Sequence, residues 1–340
     1  MNSRQFLVFC AICITSLFSK ALPFRATADP SAPWSAGDDR VALRSGKVLF
    51  YGHRRGESHK NDHVYSFDLA TSTMTRLLDD QTEQQLIKIG CQYLDATADG
   101  RWLVLTTFAP EVGLGAEKML LVDAQTRTAR VLVSNGRSII FPRFSPDGTE
   151  IVFYHCDPDM YRSAMEIYTD KGFALSVVNV ATGAIRQLAP EDWRLMRDGP
   201  PSWSPDGTRV AFSGLYKMGE PCGLFLVASK GGERRRISPD DVTMCCRPVW
   251  IDNETLLYTG SQRGPGLFRI KADGTGNRLI YRGSLHRVPD LSPDGKRVCF
   301  QAFEMEIDHM ERPHLIVLDL STGQRLTAPP GEIIRDRWRR

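Results

Sequence analysis

Short stretches of alternating apolar and polar residues recur along the chain, and a turn signal precedes each of them. Three copies are close to identical: FSPDGTEIVFYH begins at Phe144, WSPDGTRVAFSG at Trp203 and LSPDGKRVCFQA at Leu291. Ser-Pro-Asp-Gly suits a β-turn, because Pro fixes φ at the second position and Gly is favoured at the fourth. The alternation after the turn is the period of a half-buried strand. Each copy therefore predicts a β-hairpin.

Weaker copies lie between these three, beginning at Ser45, Ala96 and Trp250. A second signature follows every copy and consists of an apolar strand, a polar turn and another strand. Its six copies recur about every 50 residues and begin at Asp68, Asp123, Asn179, Ala228, Lys271 and Asp319. Four strands per unit at this period predict an all-β fold, a six-bladed β-propeller of four-stranded antiparallel blades. A β-sandwich or a pair of smaller β domains is the alternative.

The first unit lacks its innermost strand. Asp336-Arg337-Trp338 lies about one repeat length after Leu291, so we expect the C-terminal strand to close the ring. The stretch from Val41 to Leu43 is the alternative donor. We expect a signal peptide over residues 1–28, a short leader over 29–40 and the propeller over 41–340.

The N-terminal residues have the pattern of a secretory signal peptide. Arg4 precedes an apolar run from Phe6 to Phe18, and Ala26-Thr27-Ala28 is a small-residue cleavage site. The apolar run is too short to span a bilayer comfortably. We therefore expect a periplasmic or secreted protein without a stable membrane span. A segment that is kept as an N-terminal anchor is the alternative.

The composition is that of a soluble globular protein, with 42% hydrophobic and 24% charged residues. The formal net charge of +3 comes from the N-terminal segment, because beyond residue 28 the 40 basic residues balance the 40 acidic ones. Nucleic-acid binders usually concentrate an excess of Lys and Arg. We expect no nucleic-acid partner, and a monomer.

The Ser-Pro-Asp-Gly hairpins followed by short Thr-Gly turns resemble the WD40-like repeats of TolB-type β-propellers, over residues 45–338. Similar repeats occur in the propeller domains of prolyl oligopeptidase-like and tricorn-like peptidases and in oligogalacturonate lyases. The resemblance to TolB implies docking of partner proteins in the periplasm. The peptidase resemblance implies no catalysis here, because the chain has no Gly-x-Ser-x-Gly nucleophile elbow. The lyase resemblance implies a metal held by histidines near the ring centre.

In such a blade both kinds of short turn lie on one face, and the long loops lie on the other. Long loops on a rigid scaffold are where binding usually occurs. We therefore predict a ligand-binding face that contains His53, Arg54, Arg55, His155, Asp157, Arg197, Arg247, His286, Arg287 and Glu304.

Three interpretations of these residues remain open. Histidines and carboxylates could converge on a divalent metal, arginines could grip carboxylates or phosphates, or the charges could be solvated and serve protein docking. We expect a non-catalytic scaffold without a cofactor that binds an envelope or extracellular protein, or an acidic glycan. The alternative is a metal-assisted lyase or hydrolase that acts on an acidic oligosaccharide.

Export would place the cysteines in a compartment that permits disulfides. We predict that Cys222 pairs with Cys245 or Cys246 across blades four and five, and that Cys91 can pair with Cys156 across blades two and three. Free thiols are the alternative. Cys299 lies inside a strand and is predicted to be a buried thiol.

Overall fold

The computed structural model of the protein is rich in strands. It describes residues 34–44, 47–54, 62–68, 71–87, 90–107, 117–156, 173–189, 194–195, 199–215, 222–285, 289–292, 295–303 and 314–327. Within these ranges the chain forms 26 strands and one short helix. The predicted all-β class is therefore confirmed.

The described strands form six antiparallel sheets, and each sheet uses strands that are consecutive in the sequence. Sheet 1 contains β1 (Trp34–Arg44), β2 (Lys47–Arg54), β3 (His63–Asp68) and β4 (Thr73–Arg76). Sheet 2 contains β5 (Cys91–Ala96), β6 (Trp102–Thr107), β7 (Met119–Asp123) and β8 (Thr128–Val133). Sheet 3 contains β9 (Ser138–Phe144), β10 (Glu150–Cys156), β11 (Ala174–Asn179) and β12 (Ile185–Ala189).

The later sheets repeat this order, although in two of them the first strand is interrupted. Sheet 4 contains β13 (Arg194–Leu195), β14 (Ser202–Trp203), β15 (Arg209–Leu215), β16 (Gly223–Ala228) and β17 (Arg235–Arg236). Sheet 5 contains β18 (Thr243–Trp250), β19 (Thr255–Ser261), β20 (Pro265–Lys271) and β21 (Arg278–Arg282). Sheet 6 contains β22 (Ser284–Leu285), β23 (Asp290–Leu291), β24 (Arg297–Phe303), β25 (His314–Asp319) and β26 (Arg325–Thr327). In sheet 4 both β13 and β14 pair with β15, and in sheet 6 both β22 and β23 pair with β24.

The Ser-Pro-Asp-Gly segments form the predicted turns. At the turn before β15, the Gly207 amide donates to the Ser204 carbonyl at 2.8 Å, and Gly207 has φ +70°. The Ser204 hydroxyl and Thr208 donate to one oxygen of Asp206. Because these bonds favour the carboxylate, they lower the pKa of Asp206 to about 2. The turn is thus closed by its own side chains.

The innermost strand of sheet 1 is β1, which pairs with β2 from Arg44↔Lys47 to Trp34↔Arg54. The place that we expected the C-terminal strand to fill is therefore taken by the N-terminal segment, the alternative donor. The predicted C-terminal strand around Trp338 lies outside the described residues. The physical reason is proximity, because a two-residue connection joins β1 to β2 directly.

Apolar side chains pack between consecutive sheets. Leu49 of sheet 1 belongs to one core with Leu103 and Leu105 of sheet 2, whereas Val104, on the other face of β6, packs with Ile151 of sheet 3. The same alternation continues between sheets 3 and 4, 4 and 5, and 5 and 6. Each sheet is therefore covered by its neighbours along the chain.

Arginines on the fourth strands tie neighbouring sheets together. Arg130 donates to the Val180 carbonyl of sheet 3, Arg186 to the Ser229 carbonyl of sheet 4, and Arg235 to the Ala272 and Asp273 carbonyls of sheet 5. In each case the acceptor lies in the turn between the third and fourth strands of the next sheet. Arg186 also forms a bidentate salt bridge with Glu150, in which both N···O distances are 2.6 Å.

Replacing Arg186 with Ala should lower the free energy of unfolding by about 2 kcal/mol, because charge-assisted hydrogen bonds to Glu150 and Ser229 are lost together. Urea denaturation of the purified variant measures the change. Lys230→Gln removes one positive charge at an exposed position of the neighbouring turn and serves as the control. If Arg186→Ala and the control had the same urea midpoint, Arg186 would not stabilise the packing of sheet 3 on sheet 4.

Candidate functional site

The loop end of the molecule is the end at which the second strand of each sheet finishes and the third begins. Because neighbouring strands are antiparallel, the Ser-Pro-Asp-Gly turns lie at the opposite end of every sheet. His53 and His155 are the last but one residues of β2 and β10, so they lie at the loop end. These two histidines are therefore at the ends of their sheets opposite the Pro-Asp-Gly turns.

His53 is held by a carboxylate at the loop end of sheet 1. Its Nδ1 lies 2.6 Å from Oδ1 of Asp62, and the two side chains are only 7% and 11% exposed. The pair joins the end of β2 to the residue that precedes β3. The His53 ring is therefore oriented by the protein.

A second polar cluster surrounds Glu83, which lies on the helix α1 (Asp80–Leu86) between sheets 1 and 2. Its Oε1 accepts the Val64 amide at 2.9 Å, and its Oε2 lies 2.5 Å from both His63 Nδ1 and an Arg76 guanidinium nitrogen. The same guanidinium nitrogen lies 2.6 Å from Asp80. A buried carboxylate is thus satisfied by three donors.

Arg76 carries the positive charge of this cluster. Burial alone would lower the pKa of its guanidinium, but hydrogen bonds to Glu83 and Asp80 outweigh that effect and raise the pKa. Oxygen and nitrogen atoms of His63, Asp80 and Glu83 lie within 4.8 Å of one another, which is the donor set of a divalent metal site. The guanidinium already compensates both carboxylates, so a metal ion would have to displace it.

His155 lies near the end of β10 in sheet 3. It is 6% exposed, and its Nε2 lies 2.8 Å from the Ser176 hydroxyl of the neighbouring strand β11. Its ring also contacts Phe153, at 5.5 Å between centroids. These contacts hold His155 within the sheet at the loop end.

Arg247 lies where three sheets meet. It belongs to β18, and its guanidinium donates to the Leu285 carbonyl of sheet 6 at 3.0 Å. A Cβ built on Gly199, in the segment before β14, would lie 2.5 Å from Cγ of Arg247. Only glycine therefore lets the arginine pass at this point.

The first strands of the sheets are distorted near the loop end. Phe141, Met244 and Arg247 all have left-handed backbone angles, with φ between 53° and 55°. The ladder between β18 and β19 shifts register on both sides of Cys246. Strained non-glycine residues and bulges concentrate near binding sites and barrel rims. The distortion therefore marks the central, loop-end region as the candidate site.

The predicted disulfides are not formed, because no disulfide joins any of the six described cysteines. Cys222 and Cys245 are neighbours across sheets 4 and 5, as predicted, but the Cys222 sulfur contacts the Cys245 carbonyl at 3.4 Å. Cys246 and Cys91 likewise lie 3.2 Å from the carbonyls of Met244 and Tyr93. The thiols act as weak donors to the backbone.

Burial keeps the Cys245 thiol protonated. It raises the pKa of Cys245 to about 12, and a protonated thiol is a poor nucleophile and a poor metal ligand. Cys156 is also buried. Cys299 is 1% exposed within β24, which confirms the prediction of a buried strand thiol.

Several residues of the predicted binding face lie outside the part of the chain that the structure describes. The side chain of Arg54, and all of Arg55, Asp157, Arg197, His286, Arg287 and Glu304, lie outside the described residues. Four residues of the sheet 1 clusters were not predicted from the sequence: Asp62, Arg76, Asp80 and Glu83. Asp79, whose carboxylate caps α1 through the Thr82 amide, is the sequence signal that could have revealed the helix.

Among the described residues, no helix combines the length and the apolar character that a bilayer crossing requires.

Consecutive four-stranded antiparallel sheets, packed face to face with long loops at one end, define a β-propeller protein. The chain belongs to the TolB beta propeller domain family, whose model matches residues 111–327. This confirms the resemblance that the Ser-Pro-Asp-Gly repeats indicated.

Two curated relatives agree with this assignment. A 238-residue segment is 26% identical to the "Uncharacterized peptidase YuxL" of Bacillus subtilis, covering 57% of this chain and 33% of that protein. A 129-residue segment is 32% identical to the "Protein TolB homolog" of Chlorobium luteolum, covering 36% of this chain and 27% of that protein. The matched segments thus span about a third or less of each relative.

Solved structures show the same fold. An oligogalacturonate lyase in complex with manganese aligns with a TM-score of 0.63 at 19% identity, over 83% of this chain and 73% of that chain. TolB from Acinetobacter baumannii aligns with a TM-score of 0.55 at 16% identity, over 85% of this chain and 65% of that chain. At these identities the likeness establishes the fold alone.

Replacing Glu83 with Ala should lower the free energy of unfolding by about 3 kcal/mol, because the buried carboxylate that accepts from Val64, His63 and Arg76 is lost. Asp80→Ala is the matched control, since it removes a carboxylate from the same arginine and the same helix. Asp80 is 75% exposed, against 9% for Glu83, so its loss should cost less than about 1 kcal/mol. Equal denaturation midpoints for the two variants would refute this ranking.

Proposed function

We propose that the protein is an exported, six-bladed propeller that binds an envelope or extracellular protein, or an acidic glycan, through its loop end. Family membership supports the propeller, and the apolar run from Phe6 to Phe18 before Ala26-Thr27-Ala28 supports export. The propeller extends over residues 41–340, preceded by the signal peptide and a short leader. It acts without catalysis, as a monomeric scaffold.

Closure of the six sheets into a ring is supported by burial on the outer face of sheet 1. Val48, Phe50, Tyr65 and Phe67 lie on the face turned away from sheet 2, and each is less than 10% exposed. In sheet 6, Cys299 points away from the core shared with sheet 5 and is also buried. Two buried apolar faces, one at each end of the series, fit packing against each other.

The observation that carries the proposed binding role is the setting of Arg247. Its backbone is held in a left-handed conformation, and its side chain runs between Gly199 and the Leu285 carbonyl. A guanidinium that is half-buried and fixed by the protein is pre-organised for carboxylates, which acidic peptides and uronic acids both carry. Binding is therefore proposed to centre on anionic groups near the ring axis.

A second candidate function is a metal-assisted lyase or hydrolase that acts on an acidic oligosaccharide. The donor atoms of His63, Asp80 and Glu83 favour it, and a structural neighbour is an oligogalacturonate lyase in complex with manganese. Against it, Arg76 binds both carboxylates, and this cluster lies on the third and fourth strands of sheet 1 and the following helix rather than on the innermost strand. We therefore favour the binding role.

Arg247→Gln should weaken binding of the anionic partner about tenfold, because a charge-assisted pair becomes a neutral contact. Calorimetry with galacturonate oligomers tests the glycan, and quantitative capture from envelope extract tests the protein partner. Arg282→Gln is the matched control, because Arg282 also donates to backbone carbonyls, of Gln262 and Gly264, but on the outermost strand of sheet 5.

The proposed binding role is wrong if neither calorimetry nor capture detects a partner. It is also wrong if Arg247→Gln and Arg282→Gln bind the partner with equal affinity.

Metal analysis separates the two candidate functions. We expect purified protein titrated with Mn²⁺ to bind it weakly, and Arg76→Gln to bind it more tightly, because the competing cation has been removed. Elemental analysis after dialysis and a calorimetric titration measure both. Stoichiometric Mn²⁺ in the unmodified protein that disappears in His63→Ala would favour the enzyme instead.

A further inference from the structure

An arginine occupies the same position of the fourth strand in four of the six sheets. Each lies seven residues after the last residue of the third strand: Arg130 after Asp123, Arg186 after Asn179, Arg235 after Ala228 and Arg278 after Lys271. The first three donate to backbone carbonyls of the following sheet. Sheets 1 and 6 have Thr75 and Leu326 at the same position.

Sheet 5 departs from this pattern in two ways. No hydrogen bond or ion pair joins the side chain of Arg278 to any other residue that the structure describes, although the equivalent carbonyl of sheet 6 would be that of Leu320. The residue opposite it also differs. Arg130, Arg186 and Arg235 face the apolar side chains of Leu121, Val177 and Leu226, whereas Arg278 faces Arg269.

Two arginines directly opposite each other on neighbouring strands repel, which destabilises a sheet. Arg269 is half-buried on the face of β20 that carries Leu267 into the core shared with sheet 6. Like that of Arg278, its side chain has no hydrogen-bond or ion-pair partner within the described part of the chain. Two guanidinium groups placed side by side without a carboxylate partner favour a bound anion.

The pair lines a cleft of about 360 Å³ with Thr255, Lys271 and Gly276. The Lys271 side chain lies beside Gly276, with its methylenes 3.8 to 4.0 Å from the position of a Cβ built there. The cleft thus gathers three cations and a hydroxyl residue. The adjoining turns also carry acidic side chains. Hydrogen bonds from Thr275 lower the pKa of Asp273, with a smaller contribution from the charge of Lys271, and Glu254 pairs with Arg209 at 3.4 Å.

We infer that this cleft of sheet 5 is an anion site for a phosphate or sulfate group. Two guanidinium groups and one ammonium match the charge of a tetrahedral dianion better than that of a single carboxylate. The ligand is a phosphorylated or sulfated small molecule, or the free ion. The site lies near the turn end of the molecule, so it is independent of the binding role proposed for the loop end.

Titration of the full-length protein with inorganic phosphate tests the site, by calorimetry at low ionic strength. Arg278→Gln should weaken phosphate binding about tenfold, because it removes one charge-assisted pair. Arg278 is exposed, so the variant should fold. Lys230→Gln, an equal change of charge on the turn of sheet 4, should leave phosphate affinity unchanged.

Thermal unfolding gives a second readout that does not depend on calorimetric heat. Phosphate should raise the melting temperature of the unmodified protein and should have little effect on Arg278→Gln. Without phosphate, Arg278→Gln should be at least as stable as the unmodified protein, because the repulsion from Arg269 is relieved.

Parallel titrations with sulfate and acetate identify the ligand class. Binding of phosphate and sulfate, with acetate much weaker, supports a dianion site. Binding of acetate as tightly as phosphate would overturn the assignment in favour of a carboxylate site. Phosphate affinity that is undetectable, or equal in Arg278→Gln and Lys230→Gln, would overturn the site itself.

Discussion

Burial on both faces of the sheets is the constraint on which the structure depends. In β6, Leu103 and Leu105 pack towards sheet 1 while Val104 packs towards sheet 3, and none of the three is exposed. A sheet of this kind cannot present either face to water without losing the free energy gained by apolar burial. It therefore needs a neighbour on each side. The buried Phe50 face of sheet 1 extends this requirement to the first sheet and supports the proposed ring.

The same arrangement decides where specific chemistry can lie. Side chains in the strand centres are committed to inter-sheet cores, and the short turns are closed by their own Ser and Asp side chains. Two regions remain available for specific chemistry. One is the loop end, where His53 and Glu83 belong to polar clusters, and the other is formed by the strand ends that border the turns. Function in this family of folds must therefore come from local sites added to a common scaffold.

Much of the fold could be predicted from the sequence, because Ser-Pro-Asp-Gly forms its turn from local hydrogen bonds alone. The features that were missed depend on distant contacts. The turn signal at Ser45 does not by itself show whether the segment before it or the C-terminal segment fills the innermost place of sheet 1. The helix α1 has only one apolar residue, Leu86, among its seven, so it carries no amphipathic pattern. Proximity of Cys222 and Cys245 was predictable from the blade order, but the direction of their sulfurs was not.

Repetition also makes departures from the pattern informative. An arginine on the fourth strand is favourable where its guanidinium reaches the next turn and its aliphatic stem covers an apolar neighbour, as Arg186 does over Val177. Replacing that neighbour with Arg269 removes the apolar contact and adds repulsion, while the core beside it keeps Leu267 and Leu257 buried. Arg269 thus weakens sheet 5 but leaves its core intact. Such a departure from the repeat is best explained by a bound anion that neutralises the two arginines.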